Sequence, residues 1–216
     1  MRNRTENQIE LVMIRHGATG SNREGRYLGR TDETLAKEGV RRLLEIKKTG
    51  YYPKVGRVFT SPMKRCIETA EILYPEKQAV IIEEWKEIDF GKFEGKHYTD
   101  LQNDIQYRNW MESGGTLPFP EGESREDFVR RCAAGMHKML DLLFQGPGDI
   151  VGENEPVGMI VHGGTVMSIL SRYGGGSYFD YQLSNGDGYR CSLRYQIKGT
   201  AKRRYQKWKI TDIRKL

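Results

Sequence analysis

The chain has no apolar run approaching the roughly 18 residues that a membrane-spanning helix needs, so neither a spanning protein nor a membrane partner is expected. Cysteine is scarce: Cys66, Cys132 and Cys191 are odd in number, widely spaced and without a Cys-x-x-Cys pair. That pattern argues against a disulfide framework and suits reduced thiols in a cytoplasm. The charged N-terminal segment runs straight into a strand-like stretch, with no apolar signal region or small-residue cleavage site, so export is not expected. The spacings of several chemistries are missing too. No His-x-x-x-His and no carboxylate or thiolate cluster is present for zinc. Gly91-x-x-x-Gly95-Lys96-His97 is one residue short of a nucleotide-hydrolase phosphate loop and lacks Ser or Thr after the lysine; no Gly-x-Ser-x-Gly elbow occurs.

What is present is 216 residues, 37% of them hydrophobic and 30% charged, enough for one domain with a substantial core. The net charge of +6 raises the question of a nucleic-acid partner. Residues 198–216 carry eight Lys or Arg against Asp212, which leaves 27 basic and 28 acidic side chains over residues 1–197. The body is therefore close to neutral, and no nucleic-acid partner is expected. The basic segment reads as an edge strand whose lysines discourage strand addition.

Strand-length apolar runs alternate with helix-period segments. Strands are predicted at 9–14, 57–60, 79–83, 157–161, 189–197 and 205–213, and helices at 35–48, 98–111, 124–144 and 165–173. A further helix opens at Ser61-Pro62, with serine as N-cap and proline in the first turn, and ends before Pro75. Ser124 to Asp127 has the form of a capping box, and Gly146-Pro147-Gly148 breaks the chain. With no repeat or linker, the expectation is a single α/β domain over 1–216. It has a mostly parallel sheet flanked by helices, a small helical insertion at about 96–123 and a basic C-terminal strand at about 198–216.

In open α/β sheets ligands sit beyond the carboxyl ends of strands. Two of those places hold histidine: Arg15-His16-Gly17 after the first strand and His162-Gly163-Gly164 after a late one. One strand-end histidine is as often structural as catalytic, but two in matching context converge on one edge. Arg65 falls in the first turn of the helix after Ser61-Pro62, where backbone amides favour an anion. Arg15 adds a second planar fork and Asn22 an amide, a set suited to phosphate oxygens. Taken alone, Arg65 reads better as a solvated helix charge. His97 and His137 have no such setting.

Six blocks now stand in order. They are Leu11 to Asn22, Leu35 to Gly39, Phe59 to Ala70, Glu87 to Gly95, Pro120-Glu-Gly-Glu-Ser124 and Val161-His-Gly-Gly164. Together they resemble the histidine phosphatase superfamily, the phosphoglycerate mutase-like clan, over most of residues 9–195. The resemblance implies that fold as a three-layer sandwich, with His16 as nucleophile and Arg15, Arg65 and a protonated His162 on the phosphoryl group. Glu87 would be general acid and base, with Asn22, Thr19, Arg26 and the Gly163 backbone as substrate-binding positions. Ala18 and Ser21 depart from residues common at those places in the family, which affects the pocket rim.

The resemblance implies a metal-independent and cofactor-free phosphomonoester hydrolase acting on a small phosphorylated metabolite through a covalent phosphohistidine. It leaves a homodimer possible. Phosphoglycerate mutase-type transfer and a non-catalytic phospho-ligand binder are the alternatives. Mutases of the family carry longer insertions with paired arginines, whereas 96–123 offers only Arg108. The Glu87 block and Pro120 to Ser124 look most like the α-ribazole-5′-phosphate phosphatase and broad-specificity branches. Tyr98, Tyr107, Trp110 and Arg26 are the expected gate residues.

Overall fold

A computed structural model of the chain describes residues 7–144, 155–197 and 205–216. The elements run β1 (Asn7–Arg15), α1 (Gly20–Arg23), α2 (Lys37–Lys48), β2 (Arg57–Thr60), α3 (Lys64–Leu73) and β3 (Val80–Ile81). They continue with α4 (Tyr98–Leu101), α5 (Ile105–Glu112), α6 (Arg125–Leu143), β4 (Val157–Val161), α7 (Gly163–Gly174), β5 (Gly188–Ile197) and β6 (Tyr205–Lys215). The strands form one sheet in the order β3-β2-β4-β1-β5-β6. β3, β2, β4 and β1 run parallel, while β5 is antiparallel to β1 and β6 antiparallel to β5, so the sheet is mixed.

The central strands are apolar on both faces, as parallel strands covered by helices must be. Along β1, Leu11 and Met13 enter one core, while Val12 and Ile14 enter the other. β4 divides in the same way: Met159 and Val161 face the first core, and Ile160 the second. Phe128, Met136 and Leu140 of α6 and Val166 and Ile169 of α7 fill the first core. Leu43 of α2 and Cys66, Ala70 and Leu73 of α3 fill the second. After β1 the chain thus crosses to one face, and after β4 to the other. The crevice between two adjacent strands that part in this way is where an α/β sheet binds ligands.

Several sequence expectations change. The helix after β2 begins at Lys64 with Met63 as N-cap, not at Ser61. Its serine is shared with a tertiary partner in the crevice. The helix predicted over 98–111 is two short helices, because Asp104 caps α5 by accepting from Gln106 N and Tyr107 N. The strand predicted at 79–83 shrinks to Val80–Ile81, since Glu83–Trp85 forms a 3₁₀ turn that buries Trp85. β6 lies at the sheet edge with Lys207 and Lys209 exposed, as an edge strand requires. Lys198, Lys202, Arg203, Arg204 and the Gly146 to Gly148 break lie outside the described residues. Among the described residues, no helix is long and apolar enough to cross a membrane.

Candidate active site

β1 and β4 end together: His16 N donates to Val161 O at 2.9 Å, so His16 and His162 leave the sheet side by side. Their rings lie 5.2 Å apart in an edge arrangement, and both are buried. His16 Nδ1 is 2.7 Å from Gly17 O. A carbonyl only accepts, so Nδ1 carries the proton and the Nε2 lone pair is left for chemistry. Burial, reinforced by the Arg65 and Arg15 guanidinia, holds His16 well below the ordinary histidine range. Both effects favour the neutral ring.

Arg65 is wholly buried, which removes the solvated-charge reading. Its guanidinium donates to Thr31 O at 2.9 Å and Gly29 O at 3.0 Å. Those carbonyls are held in turn by Glu94, whose carboxylate accepts from Gly29 N and Thr31 N. Arg15 donates to Leu183 O at 2.6 Å. The Nε atoms of Arg15 and Arg65 are buried and have no hydrogen-bond partner among the described residues. Two fixed guanidinia with unsatisfied donors beside an imidazole are a site built for an anion.

His162 is held by Ser61, whose Oγ is 2.8 Å from Nε2. The same Oγ accepts from Met63 N at 3.4 Å, so Ser61 is shared between His162 and the turn that leads into α3. Burial and the nearby Arg65 lower the His162 pKa well below its ordinary value, which opposes the protonated form that the resemblance implies on the phosphoryl group. A dianion held by the same arginines would reverse part of that effect.

Glu87 follows the 3₁₀ turn, and its side chain is 11% exposed. Burial raises its pKa above the ordinary 4.5, opposed by the Ile88 N–H, both arginines and the Gly164 N–H. Oε2 stands 4.0 Å from His162 Nδ1, and Oε1 accepts from Ile88 N at 2.9 Å. A Cβ on Gly164 would fall 2.6 Å from Oε1, so the turn into α7 must be glycine for the carboxyl to reach the crevice. The arrangement places an imidazole with a free Nε2, two guanidinia and a carboxyl around one space.

The remaining sequence candidates are placed differently. Thr19 is the buried N-cap of α1, and Asn22 completes its capping box. Asn22 Oδ1 accepts from Asn185 Nδ2, which also donates to His16 O. Arg26 is tied at the rim to Glu24, Asp100 and Gly95 O. Gly163 lines the crevice against Arg15. Of the expected gate residues, Trp110 lines the cavity, Tyr107 is buried behind it and Tyr98 is exposed on α4. Arg108 is exposed on α5.

A cavity of about 230 Å³ opens from Arg15, Glu87, Gly163 and Gly164. Its walls also include Phe90, Phe119, Tyr178 and Arg125, none of which the sequence singled out. The Ser124-Arg125-Glu126-Asp127 run reads as a helix cap, and it is one, since Ser124 accepts from Asp127 N at 3.0 Å. Nothing local to the run marks Arg125 as facing a cavity. Asn185 likewise stands in a loop with no local motif. Among the described residues, no group of three or more His, Cys, Asp or Glu is arranged to hold a metal ion.

The family model described as Histidine phosphatase superfamily (branch 1) matches residues 11–194. A relative named "Putative phosphoserine phosphatase 2" from Hydrogenobacter thermophilus is 26% identical over 165 residues, covering 74% of this chain and 76% of its own length. "Probable phosphoglycerate mutase GpmB" from Cronobacter sakazakii is 26% identical over 140 residues, covering 62% and 64%. Among solved structures, the alpha-ribazole phosphatase from Shigella flexneri superposes with a TM-score of 0.70 at 22% identity, over 88% of this chain and 91% of that one. At that identity the likeness concerns the fold.

Proposed function

The chain belongs to the histidine phosphatase superfamily, and we propose that it hydrolyses small phosphomonoesters through a phosphohistidine formed on His16. The observation that carries this reading is the pair of buried arginine Nε donors beside an imidazole whose Nε2 is left free by the Nδ1 contact with Gly17 O. In the first step the Nε2 lone pair attacks phosphorus while Arg15 and Arg65 hold its peripheral oxygens. The phosphorus–oxygen bond to the alcohol breaks, and the leaving oxygen takes the proton of Glu87. In the second step water attacks phosphorus and gives its proton to the Glu87 carboxylate. The nitrogen–phosphorus bond breaks and its electron pair returns to Nε2.

Hydrolysis is favoured over mutase transfer by the short 96–123 segment, whose single arginine, Arg108, is exposed and outside the cavity lining. A binding-only role is disfavoured because each role in the two steps has a competent side chain. Cys66, Cys132 and Cys191 are all free and buried, which suits a reducing cytoplasm. The test is adduct trapping. Rapid quench with an aryl phosphate should give an acid-labile, alkali-stable phosphoryl group on His16, absent from His16→Ala, which should also lose turnover. An adduct mapped to another residue would overturn the assignment.

A further inference from the structure

The cavity beyond the catalytic groups has a composition of its own. Its wall is made of Phe90, Trp110, Phe119, Met167, Tyr178 and Phe179. The rings are fixed by one another: Phe90 meets Phe119 edge-on at 5.0 Å, and Trp110 lies 4.8 Å from Phe119. Trp110 is itself backed by Tyr107 at 6.2 Å. Such a wall is shaped before a ligand arrives, which lowers the cost of binding a flat apolar group. It offers a sugar or polyol little, since hydroxyls placed against it lose water without gaining partners.

The wall contains one cation. Arg125, the first residue of α6, sits over Tyr178 and Phe179 with its guanidinium carbon 5.4 and 5.8 Å from the ring centroids. It has no ion pair among the described residues, and its hydrogen bond to Gly114 O is long at 3.4 Å. Its neighbours Glu126 and Asp127 are both taken by Arg130. A guanidinium stacked on rings in a largely apolar cavity, with its donors under-used, is an acceptor site for a carboxylate or similar anion. The volume sets the scale: a cavity of about 150 Å³ already holds benzene, and this one is about 230 Å³.

We propose that the cavity selects phosphomonoesters whose alcohol is built on a single flat aromatic ring and bears a second anion, received by Arg125. This rests on the phosphatase reading for the phosphoryl end, and the aromatic wall and Arg125 supply the rest. The same wall disfavours compact polar esters such as phosphoserine and phosphoglycerate.

The experiment is calorimetric binding of phosphonates that cannot turn over. Benzylphosphonate should bind at least about tenfold more tightly than ethylphosphonate, from the ring area removed from water. A para-carboxylate on the benzyl ring should add about three- to tenfold. Arg125→Gln should erase the carboxylate gain and leave the benzyl preference. Phe119→Leu, which keeps bulk but loses the flat ring, should shrink the benzyl preference, with unchanged thermal melting as the control for folding. Equal affinity for the benzyl and ethyl compounds would overturn the aromatic assignment, and a carboxylate gain that survives in Arg125→Gln would overturn the role of Arg125. Turnover of benzyl against ethyl phosphate, whose alkoxides leave about equally well, should follow the same order. Tight, ring-dependent binding with no hydrolysis of any ester would refute the phosphatase reading and leave the cavity assignment standing.

Discussion

The floor of the site and its wall are held by different physics. On the floor, His16, Arg15, Arg65 and His162 are polar, buried and fixed by backbone carbonyls or Ser61 at the ends of parallel strands and the first turn of α3. The wall is mostly apolar, supplied by the segment after Glu87, by α5 and by the region of α7, and fixed by ring against ring. Directional bonds to a rigid sheet give the sub-ångström placement that bond making needs. Ring packing tolerates substitution, so the wall can change without disturbing the chemistry. On the proposed function this is a division of labour: the sheet carries the reaction, and the surrounding helices and loops carry the choice of ester.

Changes to the floor should therefore lower turnover of all esters, and the largest contrast should come from Glu87, which borders floor and wall and whose role depends on the leaving group. Glu87→Gln cannot give or take a proton, so alkyl esters should lose roughly 100- to 10,000-fold. Aryl esters with good leaving groups should lose much less in single-turnover phosphorylation. Equal losses across a leaving-group series would move Glu87 from proton transfer to substrate positioning.

Next in size is Arg65→Lys, which keeps the charge but loses the fork that reaches Gly29 O and Thr31 O. Catalytic efficiency should fall about 10- to 1000-fold, by a similar factor for alkyl, aryl and benzyl esters alike. A loss confined to one ester class would break the division between floor and wall.

The smallest effect is on stability against pH. His16 and His162 are both depressed below the ordinary 6.5 in the folded protein. Below 6.5 the unfolded chain takes up protons that the folded state refuses, so their stabilising contribution is present above 6.5 and lost as pH falls. Each contributes at most about 1.4 kcal/mol per pH unit. Glu87 runs the other way: with its folded pKa raised above 4.5, its contribution is present below 4.5 and lost as pH rises through the folded value. Denaturant unfolding of wild type and His162→Asn between pH 5 and pH 7 should show a shallower slope in the variant. Parallel slopes would place the proton-linked loss elsewhere.

Much of the floor was legible in the chain because strand-end position is a local property: a run such as Leu11 to Ile14 followed by Arg15-His16-Gly17 places a histidine at a carboxyl edge wherever the strand lies. The edges of helices were legible only where the capping residue had no better partner. Ser124 caps α6 as its sequence suggests, whereas Ser61, in an equally good context, is shared with His162. The wall was not legible. Phe119 and Tyr178 are distant in sequence from Glu87, and an aromatic in a loop reads the same whether it faces a core, a cavity or solvent.

The sequence by itself determined the alternating β and α units, the two-faced apolar strands and the strand-end placement of His16 and His162, because periodicity and strand-end position are written within a few residues. The tertiary structure alone decided three things: the burial that lowers the His162 pKa, the anchoring of Arg65 by a loop more than thirty residues away, and the emergence of Arg125 in an aromatic cavity. Each depends on burial and on partners brought together by long-range packing. Desolvation and the direction in which a side chain points exist only once the sheet and helices have closed around it.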